Sequence, residues 1–327
     1  MQAFEYANPT TIQEAVGMLG SGWGDANILA GGTDLLSLMK DCLQTPRRVV
    51  SIKNVKELGG IAVTKTGVRI GAAVTLDELA SNATIRQSFP SIVTAALGVV
   101  SPQIRNTGTV GGDLCQRPRC WYFRMGFGLL GKDQNGNALV PNGENEFHAI
   151  LGNSGPAYFV SASSFGPPLI ALGAKVKIAS ASGSRDLAVE KLFVNPKSDS
   201  ERETALAPGD LLTEILIPFQ ASRNATYEIR QRKGLDWPLA TASVCLKMKG
   251  TTVASARVVL GHVAPVPWPA PEAEQMLAGK SITEDVAEQA GRAALAGATP
   301  LSGNAYKVQL ARVAVKRALL EAARGRA

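Results

Sequence analysis

Two glycine pairs set the chemistry open to this chain. Gly31-Gly32 lies within Leu29-Ala30-Gly31-Gly32-Thr33-Asp34-Leu35, and Gly111-Gly112 within Gly108-Thr109-Val110-Gly111-Gly112-Asp113-Leu114. Glycine tolerates positive φ and puts no Cβ between successive backbone N–H groups and an anion. The hydroxyls of Thr33 and Thr109 add side-chain donors. Asp34, at the start of an expected helix, is placed to cap it and leave its N-terminus as an anion site. Taken singly, each pair also suits a tight turn. Together they point to one diphosphate held from two sides. A third cluster, Gly20-Ser21-Gly22-Trp23-Gly24, follows a helix pattern and precedes a strand. That is the reverse of the order pyrophosphate binding needs, so it reads as a surface turn.

Other catalytic sets do not form. The sequence has no GxSxG elbow and no P-loop. Two histidines, His148 and His262, and four cysteines, Cys42, Cys115, Cys120 and Cys245, show no CxxC, HExxH or paired Cys/His spacing. This argues against structural zinc, and four scattered cysteines describe no disulfide framework. Cys42 and Cys245 lie in apolar-periodic stretches and are expected as packed, reduced thiols. The net charge of +7 is spread along the chain, which suits an anionic cofactor or acidic partner better than nucleic acid. With 45% hydrophobic and 19% charged residues in 327, the chain is a folded protein of one to three domains. No window holds 18 consecutive apolar residues, so no membrane-spanning helix is expected. Met1 to Tyr6 has neither a basic nor an apolar signal region. The expectation is a cytoplasmic protein, or a periplasmic one if exported with a signal-bearing partner.

The elements that must position the glycine pairs mix α and β without internal repeats. Thr11 to Leu19 has helical apolar spacing and stops at Gly20. Ala26 to Ala30 is a strand-like run that breaks into the first glycine pair. Leu35 to Lys40 is helical and Val49 to Ile52 strand-like, giving a βαβ-type unit. Ile61 to Val74 alternates about Lys65-Thr66-Gly67 as a hairpin does. Thr75 to Val99 is largely helical, interrupted by Pro90, and Gly131 to Asn145 is a polar loop. From Pro167 a helix leads into the strand Lys175 to Ile178. Leu211 to Pro218 is another strand, before a boundary near Gln220. Three strand-like stretches follow, Tyr227 to Arg230, Thr241 to Met248 and Val253 to His262. A Pro-rich connector, Pro265 to Pro271, and two helices, Thr283 to Ala296 and Ala305 to Ala323, close the chain.

With both glycine motifs in order, the chain resembles the FAD-binding subunits of the xanthine dehydrogenase/molybdenum hydroxylase family. Tyr227-Glu228 through Arg232-Lys233 to Asp236-Trp237 is similar to the opening of the C-terminal domain in carbon monoxide dehydrogenase medium subunits. The string Leu114-Cys115-Gln116-Arg117-Pro118-Arg119-Cys120-Trp121-Tyr122-Phe123-Arg124 resembles the aldehyde oxidoreductase and hydroxybenzoyl-CoA reductase branch. The resemblance covers essentially the whole chain. It implies an α+β fold: a two-part, vanillyl-alcohol-oxidase-type FAD-binding domain over 1–220, with subdomains of about 1–58 and 59–220. A C-terminal α+β domain with a small antiparallel sheet and helices would span 221–327. It also implies a heterotrimer with a molybdenum-cofactor large subunit and a small subunit carrying two [2Fe–2S] clusters. Non-covalent FAD would pass electrons from those clusters to an external acceptor. Carried over, Leu29 to Leu35 would wrap the diphosphate. Gly108, Thr109, Gly111, Gly112 and Asp113 would hold its other side, with Gln116 nearby. Val99, Val100 and Leu212 would lie against the flavin, and His148 and Ile150 near the adenine end. Arg230, Arg232 and Lys233 read either as a solvated strand face or as flavin-site residues, and Lys233 is taken with the site.

Three departures from the family pattern bear on the cofactors. The branch with the Arg119-Cys120-Trp121 string usually carries a [4Fe–4S] cluster on four cysteines, yet Met125 to Glu146 contains none and Ala157 stands near another expected position. Such a cluster needs four thiolates, so none is expected here. The insertion should be a metal-free loop packed by Trp121, Tyr122 and Phe123. An acidic residue that relatives place against the ribityl chain is Ser164 here, beside Ser163, and a lysine after the Tyr-Glu pair is Ile229. A flavin-free structural subunit is therefore the alternative to an FAD electron-transfer subunit acting with aldehyde or aromatic-heterocycle oxidation. A stand-alone flavin oxidase is a third reading, disfavoured by the lack of an acid/base set and of a flavin-linking histidine.

Overall fold

The computed structural model describes residues 1–99, 101–232 and 236–325. The first unit runs β1 (Glu5–Ala7), α1 (Ile12–Gly17), β2 (Ala26–Leu29), α2 (Leu35–Lys40) and β3 (Arg48–Ser51). Its strands form a parallel sheet in the order β1-β3-β2. Thr11 starts α1 by accepting the Glu14 N–H, and Ala15, Val16 and Leu19 pack on Val50 and Ile52.

The second unit holds β4 (Ile61–Val63), β5 (Gly67–Gly71), α3 (Leu76–Ser81), α4 (Ala83–Ser88), α5 (Pro90–Gly98), α6 (Pro102–Thr107), α7 (Val110–Leu114) and α8 (Trp121–Arg124). It continues through α9 (Gly166–Ala171), β6 (Lys175–Ser180), β7 (Gly183–Ala188), α10 (Val189–Leu192) and β8 (Leu211–Pro218). The strands make an antiparallel sheet ordered β4-β5-β8-β6-β7. A capping box between Thr75 and Glu78 starts α3. The helical stretch is broken, as expected, just before Pro90. Pro90 occupies the first turn of α5, where its missing N–H costs nothing.

The third unit is a sheet of β9 (Arg223–Ile229), β10 (Ala240–Lys249), β11 (Thr252–Gly261) and β12 (Trp268–Pro269), ordered β12-β11-β10-β9. It is covered by α11 (Pro271–Leu277), α12 (Glu284–Ala294) and α13 (Tyr306–Arg324). Val244, Leu246, Val258 and Leu260 face these helices, whereas Cys245 and Val259 join the core of the second unit. Both faces of β10 and β11 are therefore buried, and the third unit is welded to the second. The Pro-rich connector, expected as irregular, contains β12 and runs into α11, because Pro271 suits a first helical position. Cys245 is packed as expected. Cys42 is not: it is exposed just after α2, with φ at 56°.

Candidate cofactor site

The chain leaves β2 at Leu29, turns at Gly32 with φ at 74°, and enters α2 at Leu35. Positive φ fixes glycine at that turn. A Cβ on Gly31 would collide with the Thr107 carbonyl, and one on Gly108 would lie 3.6 Å from Thr33 Oγ1. The two glycine loops thus meet backbone to backbone. The second is pinned from beneath, as Val110 N–H donates to the Val74 carbonyl at 3.0 Å and Gly111 N–H to that of Ala72 at 2.9 Å. Thr109 caps α7 by accepting the Gly112 N–H at 3.1 Å, leaving its hydroxyl proton free to donate outward.

A cleft of about 310 Å³ opens between the loops. Ala30 to Leu35, Gly108, Thr109, Gly111, Gly112, Asp113 and Gln116 line it, joined by Val99, Ser164 and Leu212. Leu29 props Gly32 from below. Ser163 lies one step back, donating to Asp113 Oδ1 at 2.6 Å. Asp113 also accepts from Gln116 Nε2 at 2.8 Å and Phe165 N–H at 3.1 Å. Burial pushes its pKa up to about 6 despite these donors.

Asp34 does not cap α2. Its carboxylate instead accepts from Arg117 N–H at 2.8 Å, Arg119 Nη1 at 2.7 Å and Arg124 Nη2 at 2.8 Å. Charged donors outcompete a helix-end N–H. Two further residues lie elsewhere. His148 is buried against Cys120, with Nε2 3.1 Å from Sγ, and Ile150 belongs to the core of the third unit, so neither lines the cleft. Val100 and Lys233 lie outside the described residues.

Sequence reasoning missed most of the cationic and aromatic rim, having offered only Arg230, as an alternative to a solvated strand face. Arg119 stacks 4.5 Å over Trp237 and Arg202 4.2 Å over Trp23, while Arg230 pairs with Glu228 at 2.6 Å. All five of these arginine and tryptophan side chains line the cleft. Burial and the neighbouring Arg117 lower the Arg202 pKa to about 10. Trp23 comes from the glycine cluster read as a surface turn. That cluster is indeed a turn, closed on the Asp25 carboxylate, but it also walls the cleft. No spacing signals these stacks, because their partners are distant in sequence.

The insertion is a loop held by Trp121 and Tyr122. Trp121 Nε1 donates to the Glu144 carbonyl at 2.9 Å, and Glu144 N–H donates to Tyr122 Oη at 2.7 Å. Phe123 turns the other way, under the guanidinium groups of Arg117 and Arg124. Ala157 packs with Leu130, Phe159 and Cys120. Among the described residues, no three His, Cys, Asp or Glu side chains are placed to hold a metal ion.

Residues 2–220 match the FAD binding domain in molybdopterin dehydrogenase, and residues 225–322 the CO dehydrogenase flavoprotein C-terminal domain. The chain belongs to this flavoprotein family. It is similar to the carbon monoxide dehydrogenase medium chain of Hydrogenophaga pseudoflava, at 30% identity over 97% of this chain and 96% of that one. It is also 30% identical to the aldehyde oxidoreductase FAD-binding subunit PaoB of Escherichia coli K12, over 98% and 99% of the two chains. Quinoline 2-oxidoreductase from Pseudomonas putida 86 superposes with a TM-score of 0.77 at 28% identity, over 99% of this chain and 98% of that one. The protein is thus an oxidoreductase subunit, the FAD-binding medium subunit type of molybdenum hydroxylases. The cleft fits FAD on its own evidence: glycines keep both loop backbones bare, and hydroxyl donors and a cationic rim surround them.

Proposed function

We propose that this chain is the electron-transfer subunit of a heterotrimeric molybdenum hydroxylase. It would receive electrons from [2Fe–2S] clusters of a small partner and deliver them to an external acceptor. A large molybdenum subunit would oxidise an aldehyde or an aromatic heterocycle. The observation that carries this reading is the backbone contact between the two glycine loops across one cleft. FAD, when bound, supplies the chemistry of accepting and releasing electrons.

The chain's own residues bind and orient. Ala30 to Leu35 would hold one side of the diphosphate with backbone N–H groups, and Gly108, Thr109, Gly111 and Gly112 the other. Val99 and Leu212, which also line the cleft, would give the ring system apolar cover and exclude water. Asp113, braced by Gln116, Ser163 and the Ser164 N–H, holds the second loop against α9. The chain itself is assigned no [4Fe–4S] cluster, a reading supported by the apolar packing of Ala157 beside Cys120.

The native complex, analysed for flavin and metals, should contain one FAD per copy of this chain, released intact on denaturation. Gly31→Val should lose most of its flavin while keeping its far-ultraviolet circular dichroism, since the new side chain drives the loops apart. Gly112→Ala is the milder companion, because its Cβ meets only Thr109 Oγ1, at 2.9 Å. Stoichiometric FAD in Gly31→Val, or a native complex without flavin, would overturn the reading.

A further inference from the structure

Among the described residues, Trp23 and Trp237 are the only aromatic side chains lining the cofactor cleft. They come from distant parts of the chain, Trp23 from the loop before β2 and Trp237 from the loop after β9. Trp23 is 44% and Trp237 41% exposed, so both stand where the cleft opens to solvent.

An arch of charged groups joins them. Arg202 lies 4.2 Å over Trp23, and its Nε is 4.0 Å from Glu203 Oε2. Glu203 pairs through Oε1 with Arg117, whose backbone N–H donates to Asp34 at 2.8 Å. Asp34 accepts in turn from Arg124 and from Arg119, which lies 4.5 Å over Trp237. Four guanidinium groups thus share two carboxylates, and the arch carries positive charge in excess. Each indole is backed on one face by a guanidinium, which leaves its other face to a planar ring. The bare glycine backbones suit the diphosphate, so a ring beside them is one of the cofactor's two. Adenine stays neutral through turnover. The isoalloxazine gains negative charge on reduction and must exchange electrons near the opening, so an exposed, cationic, aromatic site suits it better.

We propose that the isoalloxazine ring of FAD sits under this arch, in contact with both Trp23 and Trp237. The assignment rests on the function proposed above and names the side chains that hold its reacting ring.

Flavin fluorescence tests it. An indole touching a photoexcited flavin gives up one electron and recovers it, so emission is lost; phenylalanine stacks but does not donate. The full chain, loaded with FAD and free of partner subunits, is compared as parent, Trp23→Phe, Trp237→Phe and the double variant. FAD content is measured on each sample after denaturation. Each single variant should stay dim, because the remaining indole still quenches. The double variant should emit roughly fivefold or more above the parent at equal FAD content. Equal emission from parent and double variant would overturn the proposal, and so would a single variant as bright as the double. If the double variant loses FAD, transient absorption of the parent decides. An indole radical cation formed within picoseconds of the flash supports the contact, and its absence overturns it. A parent chain that takes up no FAD fails the function proposed above and this assignment with it, whereas a loaded chain with unchanged emission fails this assignment alone.

Discussion

A carboxylate placed just before a helix caps it only when no stronger donor is in reach. Asp34 has two guanidinium groups and a backbone N–H from the 117–124 segment, so it ties that segment to the first glycine loop. The buried histidines show the same dependence on surroundings. His262 donates to or accepts from Thr241 at Nδ1 and is held neutral chiefly by burial, with a pKa of about 3. The unfolded chain takes up that proton near pH 6.5, so this contribution is present above that pH and is lost as pH falls toward 3. Between pH 7 and pH 5 the loss is about 2 kcal/mol. Asp113, with its raised pKa, works in the opposite direction. His262→Gln should therefore lose about 2 kcal/mol less stability than the parent between those pH values, in urea unfolding. Comparing slopes cancels any packing cost common to both.

Helices α12 and α13 meet through small residues. Ala287, Ala290, Gly291 and Ala294 face Ala311, Ala314, Ala318 and Ala322, all buried. A Cβ on Gly291 would lie 2.6 Å from the Arg312 carbonyl, so the helices are as close as backbones allow there. Gly291→Val should destabilise the chain by roughly 1–3 kcal/mol through overpacking, seen as a lower urea midpoint at unchanged slope. FAD content should be unaffected, because the cleft lies across the sheet. These helices are legible in the sequence because their apolar residues recur at i, i+3, i+4 and i+7. The short β1 and β7, and helix α11 behind its prolines, are not. Three to seven residues are too few to establish a period.

Lys307 joins distant parts of the molecule. Its Nζ donates at 3.1, 3.1 and 2.8 Å to the carbonyls of Phe147, His148 and His262, burial lowering its pKa to about 7, and Asn304 adds contacts to His148 and Ala149. Lys307→Met would leave three buried acceptors without their donor and should cost about 3 kcal/mol or more. Amide hydrogen exchange should then rise first in residues 145–153. The sequence by itself determined the mixed α and β elements, the two glycine motifs and the family, because these rest on local periodicity and on residues with no substitute at a bare-backbone turn. Only the tertiary structure decided that Asp34 serves arginines, that His148 and Ile150 leave the cleft, and that Trp23, Arg202 and Trp237 enter it. Each of those outcomes depends on side chains tens to hundreds of residues apart, brought within a few ångströms by packing that no local pattern encodes.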